Sequence, residues 1–532
     1  MSSLDARSST EATGTPNLHI LLAEATVLGD AALVVSGVDV LGVEDVRVGV
    51  DVLAAALRDA GVRAGQPVGA LVGSGAEAVL IMFAIWSVGA AYVPINRRLR
   101  PSEVRQFLAE TPIALLIGSR SDLRKHTFHG GLIEHSIFSV RVLQPADTEV
   151  PCHDPDVALV LRTSGTTGQP KAVLLRHSGT IDALDASLAK LRHSSREPRK
   201  AARPSPEKAT PRMNLIPVSL ALWAGIFNVL FALRAGAGVV LLEQFTPVAL
   251  ADAVRAHGIR STVLPPALIT ALNDATDIDD LAPLRMVRSI TAPLPPQAAR
   301  RFHQRFGVMV LNSYGQTELG GEVVGWTAQD VRTFGESKLG SVGRAYDDVD
   351  VRIRDEHGSD LAIGDTGEIH VRSPFRMHGY ADSGPANDSN TDRFVRGYLC
   401  TGDLGRIDED GFLWIQGRLS DMINRGGLKV FPDEVEDVLR RHPAIRDACV
   451  AGVPDRRLGE VPHAWLITDD VVDESALISW CRQELAPYKV PTGFNRVEQF
   501  PRSEVGKVQR RVLAAEFVAE QGGAARDTIG GS

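Results

Sequence analysis

The sequence predicts an α/β protein: a large N-terminal domain that also carries an antiparallel β subdomain, followed by a small α+β C-terminal domain. Three observations lead there. Short apolar runs at 68–72, 158–161, 215–218, 239–242, 261–264 and 308–311 are separated by helix-length stretches, the alternation of a doubly wound, mostly parallel sheet. From about residue 347 the pattern becomes VDVRIRDEHGSDL, a strand, a polar turn and a second strand, with GEIHVRS as a third, which reads as antiparallel. Beyond residue 420, helix EVEDVLRRH, strands around ACVAGV and HAWLIT, and helix SALISWCRQEL make a separate unit. At 532 residues the chain is too long for one core.

In chain order, residues 1–18 are polar with no apolar h-region, a loose leader and not a secretory signal. Helical spacing of apolar residues over 52–57 and 76–91 flanks the strand at 68–72. The longest apolar run, 79–93, is about fifteen residues against the ~20 of a membrane helix, so it is expected to be a buried core helix. Residues 193–212 are rich in Arg, Lys, Pro and Ser and predict an exposed, mobile loop. The plain reading is a solvated insertion; the sharper one is a basic cover over a phosphorylated ligand. Residues 518–532 read as a flexible tail.

Composition excludes several classes. With 44% apolar and 23% charged residues the chain is neither fibrous, disordered nor membrane-spanning. A net charge of -8 argues against a general nucleic-acid binder. The four cysteines are scattered, with no CxxC pair, so neither disulfides nor structural zinc are expected and a reducing cytoplasm fits.

After the run at 158–161 comes Thr163-Ser164-Gly165-Thr166-Thr167-Gly168-Gln169-Pro170-Lys171. Glycines let backbone N–H groups converge, hydroxyls add donors and Lys171 adds charge, a combination suited to a polyphosphate. The GxxxxGK[ST] pattern cannot be laid on it, and a Gly/Thr-rich surface turn is the bland alternative.

The full string resembles the phosphate loop of the adenylate-forming superfamily, which includes acyl-CoA synthetases. Further matches follow in family order. Tyr314-Gly315-Gln316-Thr317-Glu318 is similar to YGxTE, Thr401-Gly402-Asp403 to TGD, and Gly417-Arg418 with Asp421, Gly426 and Gly427 to the GRxxDxIxxxG hinge region. Pro501-Arg502 with Gly506-Lys507 is similar to PRxxxGK.

The resemblance implies an N-terminal ATP- and acyl-binding domain over 19–419 with two α/β subdomains, and a mobile C-terminal lid over 420–517. The implied reaction adenylates a carboxylic acid, expels pyrophosphate and passes the acyl group to a thiol. By resemblance, Thr163 and Glu318 hold Mg²⁺, Asp403 accepts the ribose hydroxyls, and Arg418 lies near ribose and phosphate. Tyr314 and Thr291-Ala292-Pro293 flank adenine. Lys507 bridges carboxylate and α-phosphate, the lid turns about Ser420, and Gly426-Gly427 line the pantetheine channel. Isolated, each match has a plainer reading, such as a turn at TGD or a helix cap at Glu318. Departures include Arg162 and Ala172 beside the phosphate loop, and Ile290-Thr291 in place of a common Gly-Gly.

The stretch PVSLALWAGIFN, 217–228, carries no acidic residue, so an amino acid is disfavoured as substrate, because its buried ammonium would lack a partner. Leu222, Trp223 and Phe227, with Gly320 and Gly321, suggest a pocket for an aromatic, alicyclic or medium-chain acid, although such an apolar stripe is more often core. The expected function is carboxylic acid–CoA ligation with ATP, Mg²⁺ and coenzyme A, by a monomer or homodimer. A carrier protein as acceptor, an enzyme of one half-reaction, or a non-catalytic nucleotide-binding regulator are the alternatives.

Overall fold

A computed structural model describes residues 17–29, 31–113, 115–124, 132–134, 139–142, 150, 152–163, 171–193, 212–292, 294–381, 393–469, 472–502 and 507–527. Ser164, Gly165, Thr166, Thr167, Gly168 and Pro293, nearly all of the basic segment 193–212 and nearly all of the leader fall outside these residues.

Two sheets with parallel centres form the α/β part. One runs in the order Met309–Asn312, Met286–Ser289, Ser261–Leu264, Met213–Ile216, Gly238–Leu241, Ala32–Ser36, Asp39–Gly42, parallel until its last pair. In the other, Val157–Thr163, Ala91–Asn96, Pro67–Val72 and Leu115–Gly118 are parallel neighbours, and antiparallel strands extend both edges. The central strands read as continuous apolar runs because both faces are covered. Pro67–Val72 is buried at every position. Val157–Thr163 and Lys171–Arg176 form an antiparallel pair whose last partners are Thr163 and Lys171, so the phosphate-loop sequence joins two paired strands.

The apolar run 79–93 is not one helix. The helix Ala76–Ser87 stops before Gly89, whose φ of 74° suits a glycine, and the strand Ala91–Asn96 follows. Polarity could not reveal this break, since both elements are buried; the left-handed glycine ends the helix. Trp86, at the helix end, is fully buried and donates from Nε1 to the Ala158 carbonyl at 2.8 Å. Its ring packs edge-on against Phe83 at 5.4 Å and His177 at 5.8 Å, joining helix, sheet and the following helix in one core.

Beyond residue 347 the strand Asp350–Arg354 pairs with Gly367–Arg372, which pairs with Tyr398–Ile407, all antiparallel. The expected second strand of VDVRIRDEHGSDL shrinks to one bridge, Arg354 to Asp360. The turn through Gly358, φ 78°, returns the chain for too few residues to build a ladder. The strand Leu413–Arg418 pairs with Tyr398–Ile407 from the other side.

At the C-terminus, Ile445–Asp455 and Gly459–Thr468 form a long hairpin within a five-stranded sheet. The helices Pro432–Arg440 and Glu474–Glu484 cover it, with Val435, Leu439, Leu477 and Cys481 in the core. Arg510 is paired with Asp433 and with Glu436, the latter at 2.9 Å. Arg440 holds Glu436 and Asp447 at 3.0 and 2.8 Å. This buried network anchors the start of the last helix, three residues after Lys507. Among the described residues no helix is long and apolar enough to cross a membrane.

Replacing Trp86 with Ala removes the largest fully buried side chain and orphans the Ala158 carbonyl. The expected loss is about 3–5 kcal/mol, read as a lower first midpoint in guanidinium unfolding.

Candidate active site

The centre of the site is a bulge in the antiparallel sheet. Glu368 pairs with Leu404 and His370 with Cys400, so the single residue Ile369 faces Thr401, Gly402 and Asp403. Gly402 supplies the left-handed turn, φ 72°, that such a bulge needs. Thr401 donates from Oγ1 to the Ile369 carbonyl at 2.7 Å and closes it. The bulge re-aims Asp403, which is only 4% exposed. Tyr314 donates to Asp403 Oδ2 at 2.8 Å and Gln316 at 2.7 Å, while Arg418 Nε lies 2.9 Å from Oδ1. Burial, then the neighbouring Asp403 charge, pushes the Tyr314 phenol well above its ordinary range, so it remains a donor.

A second carboxylate is held beside this cluster. Glu318 is buried, and its Oε1 accepts from the Tyr380 hydroxyl at 3.3 Å and from Arg393 at 3.4 Å. Lys171 places its ammonium 4.8 Å from the Tyr380 ring centre, a cation–π contact. Thr163 Oγ1 lies 3.4 Å from the Lys171 carbonyl. Thr163, Lys171 and Glu318 therefore form one contiguous chain of groups. Arg162, an unusual residue beside the loop, is paired with Glu110 and lies 5.3 Å from the Phe107 ring centre.

Lys507 enters from the C-terminal unit and is partly exposed. Desolvation of its ammonium by burial, then the Arg418 charge, lowers its pKa to about 8 against the pull of Asp403, Glu318 and Asp421. A lysine, an arginine and two carboxylates from separate parts of the chain thus converge. Arg446 adds a contact across the two parts, 4.0 Å from Asp274.

At the carboxyl ends of two parallel strands, Ser289 Oγ and Asn312 Oδ1 are buried without a partner among the described residues, as are Thr291 Oγ1 and Trp223 Nε1. The carboxyl edge of a parallel sheet is where such folds bind ligands. Thr291 has φ 74°, a conformation natural to glycine and strained for a β-branched residue. Ala292, which follows it, is partly exposed.

The acyl-pocket residues divide. Trp223 and Phe227 stack edge to face at 5.4 Å, and a Cβ on Gly321 would lie 3.2 Å from the Phe227 ring. Leu222 caps the helix Trp223–Arg234. Gly320 opens no space: a Cβ there would meet the Phe375 carbonyl at 2.0 Å. That glycine is required by a close backbone crossing, which also brings the Met377 N–H to the Glu318 carbonyl at 2.9 Å. Sequence reasoning missed Arg288, which bridges Glu322 at 2.7 Å and Asn228 at 2.9 Å beside these residues. It also missed Tyr380 and Arg393, whose stretches carry no motif; only the fold brings them to Glu318.

Gly426 and Gly427, φ 60° and 92°, are the two central residues of an exposed hairpin turn between Ile423–Arg425 and Leu428–Val430. Two successive positive φ values account for both. Asn424 Oδ1 accepts from the Gly427 N–H at 3.0 Å. Ser420 is exposed in the short turn Leu419–Asp421, just after Gly417 and Arg418.

Thr291→Gly relieves the backbone strain and removes a buried unpartnered hydroxyl. It should raise stability by about 1 kcal/mol, measured by chemical denaturation.

Residues 23–381 match the AMP-binding enzyme family and residues 434–507 match the AMP-binding enzyme C-terminal domain. The indoleacetate–CoA ligase of Aromatoleum aromaticum is 31% identical over 504 residues, covering 89% of this chain and 93% of its own. A 2-succinylbenzoate–CoA ligase of Bacillus licheniformis is 29% identical, covering 86% and 91%. The solved amide bond synthetase of Marinactinospora thermotolerans aligns with a TM-score of 0.79 at 26% identity, covering 94% of this chain and 99% of that one. Matches over both parts of the chain, with the carboxylates, arginine and lysine gathered at one place, make it an enzyme of the AMP-binding, adenylate-forming family.

Proposed function

We propose that this enzyme activates a compact, aromatic carboxylic acid with ATP, releases pyrophosphate, and transfers the acyl group to coenzyme A. The observation that carries the reading is the entry of Lys507 into a cluster otherwise built from the N-terminal part, beside Arg418, Asp403 and Glu318. A pure nucleotide binder has little use for a lysine held at that point from another unit. The rings of Trp223 and Phe227 suit a flat acid, and the acids named for the two CoA-ligase relatives carry aromatic rings. The Arg288–Glu322–Asn228 group beside them offers hydrogen bonds to a polar substituent on such a ring.

Each residue has a task in this reading. Asp403 accepts the ribose hydroxyls with its two oxygens, and Tyr314 and Arg418 keep it oriented. Tyr314 and the segment Thr291–Ala292 flank the adenine, with Ser289 and Asn312 in reach of its polar edge. Lys171 and the loop after Thr163 bind the phosphates. Thr163 Oγ1 and the Glu318 carboxylate are hard oxygen donors of the kind Mg²⁺ takes; bound there, Mg²⁺ offsets charge on the polyphosphate. Lys507 draws the acid's carboxylate toward the α-phosphate and stabilises the charge that builds on its oxygens. After pyrophosphate leaves, rotation about Ser420 withdraws Lys507 and presents the Gly426–Gly427 turn to the incoming thiol. A second reading changes only the acceptor, to an amine, because the structural relative forms amide bonds.

Incubation with ATP, Mg²⁺, coenzyme A and a panel of aromatic acids, followed by mass spectrometry, should give AMP and an acyl-CoA. Adding simple amines to the same mixtures tests the second reading. Lys507→Ala should slow adenylation by about 10²–10³-fold yet still convert a supplied acyl-adenylate to thioester. Absence of thioester from both the acids and their adenylates removes the CoA-ligase reading. Because Lys507 loses its charge as pH rises through about 8 before substrates bind, kcat/KM for pyrophosphate release should fall above that pH. Lys507→Ala should abolish the break.

A further inference from the structure

Glu368, His370 and Cys400 lie on adjacent strands immediately behind the Asp403 bulge, and nothing in the proposed reaction uses them. Their ligand atoms lie within 4.8 Å of one another. Cys400 Sγ is 3.6 Å from His370 Nδ1, and the opposite ring nitrogen, Nε2, is 3.4 Å from Glu368 Oε2. His370 and Cys400 are direct cross-strand partners, so the contact is fixed by the ladder. Glu368 is held in turn by the Gly402 N–H, which donates to Oε1 at 3.0 Å.

The imidazole presents Nδ1 to the thiol and Nε2 to the carboxylate, so each ring nitrogen already has a partner. A thiol beside an imidazole that is itself held by a carboxylate is the arrangement that activates a cysteine. From the geometry we propose that Cys400 is a reactive thiol: His370 takes its proton, Glu368 holds the resulting imidazolium, and the thiolate attacks small disulfides.

The charges around His370 agree. Burial pulls its pKa down, but Cys400 and Glu368 together outweigh that and raise it to about 9. Arg393 is the further charge acting on Glu368. Cys400 is partly exposed, whereas Cys449 and Cys481 are buried and their thiols are pushed up by burial. In the exchange, the Cys400 sulfur bonds to one sulfur of the disulfide and the original S–S bond breaks. The departing thiolate takes the proton from His370. Cys400 is thereby oxidised to a mixed disulfide, and the other half of the reagent leaves as a thiol.

The adduct has a route to the site. The Cys400 N–H donates to the Arg393 carbonyl at 2.8 Å, and the Arg393 side chain contacts Glu318. Thr401, Gly402 and Asp403 follow directly. Cys400 is thus one backbone hydrogen bond from Arg393 and three residues from Asp403.

Exposed Cys152 is an internal reference, because accessibility alone would make it the faster thiol. The intact protein is treated with oxidised glutathione at pH 7, and adducts are mapped by peptide mass spectrometry over time. Cys400 should react at least about tenfold faster than Cys152. Glu368→Gln and His370→Gln should bring Cys400 down to the Cys152 rate or below while leaving Cys152 unchanged, which also reports an intact fold. The proposal is overturned if wild-type Cys400 reacts no faster than Cys152, or if neither variant slows it in a protein whose Cys152 rate is unchanged. Stoichiometric Zn²⁺ that survives dialysis and blocks Cys400 would overturn it too, in favour of a metal site.

Discussion

The structure turns on one buried negative charge. Asp403 sits almost out of solvent, and a carboxylate there is tolerable only with its donors in place. Those donors come from different segments: Tyr314 and Gln316 from the short strand after the parallel sheet, Arg418 from the strand beside the bulge. Satisfying Asp403 therefore registers the parallel sheet against the antiparallel one. It also sets where the chain leaves toward the C-terminal unit, because Arg418 directly precedes the connecting turn. The site is the place where separately folded pieces agree on a common charge.

The layout behind that charge follows from a simple imbalance in strand length. One residue opposes three across the Ile369 position, so the longer strand must buckle. The front of the buckle carries Asp403 to Tyr314, Gln316 and Arg418, and its rear leaves Glu368, His370 and Cys400 together on the ladder. Arg393 spans both, its carbonyl to Cys400 and its guanidinium to Glu318.

Much of this was legible in the residues, though unevenly. The alternation of apolar runs predicts the parallel sheets because burial on both faces leaves a continuous apolar signature. The same signature hid the break at Gly89, since a buried helix and a buried strand look alike by polarity. The TGD and YGQTE strings single out Asp403 and Tyr314, but nothing local announces that their side chains meet, a contact across 89 positions. Gly320 was read as leaving room in the pocket; its actual reason, the Phe375 carbonyl that crosses over it, belongs to tertiary structure. Tyr380 and Arg393 were invisible because single polar residues in irregular or edge segments carry no periodicity, and Arg288 because one charged residue in an interior strand carries no motif. The departure of Ile290-Thr291 from Gly-Gly marks this place in the sequence, and only the backbone shows that Thr291 holds a glycine-like φ of 74°.

The lowered pKa of Lys507 has a mechanical side. A lysine that loses hydration on docking works against the closed arrangement until an anion arrives to share its charge. In the proposed reaction, bound triphosphate and carboxylate would act as the latch, and departure of pyrophosphate would withdraw part of it. Arg446 and Asp274, 4.0 Å apart and exposed, add only a weak, screened attraction across the two parts. On the proposed reaction, the C-terminal unit would sense how much negative charge remains in the site, and its opening would be timed by the chemistry.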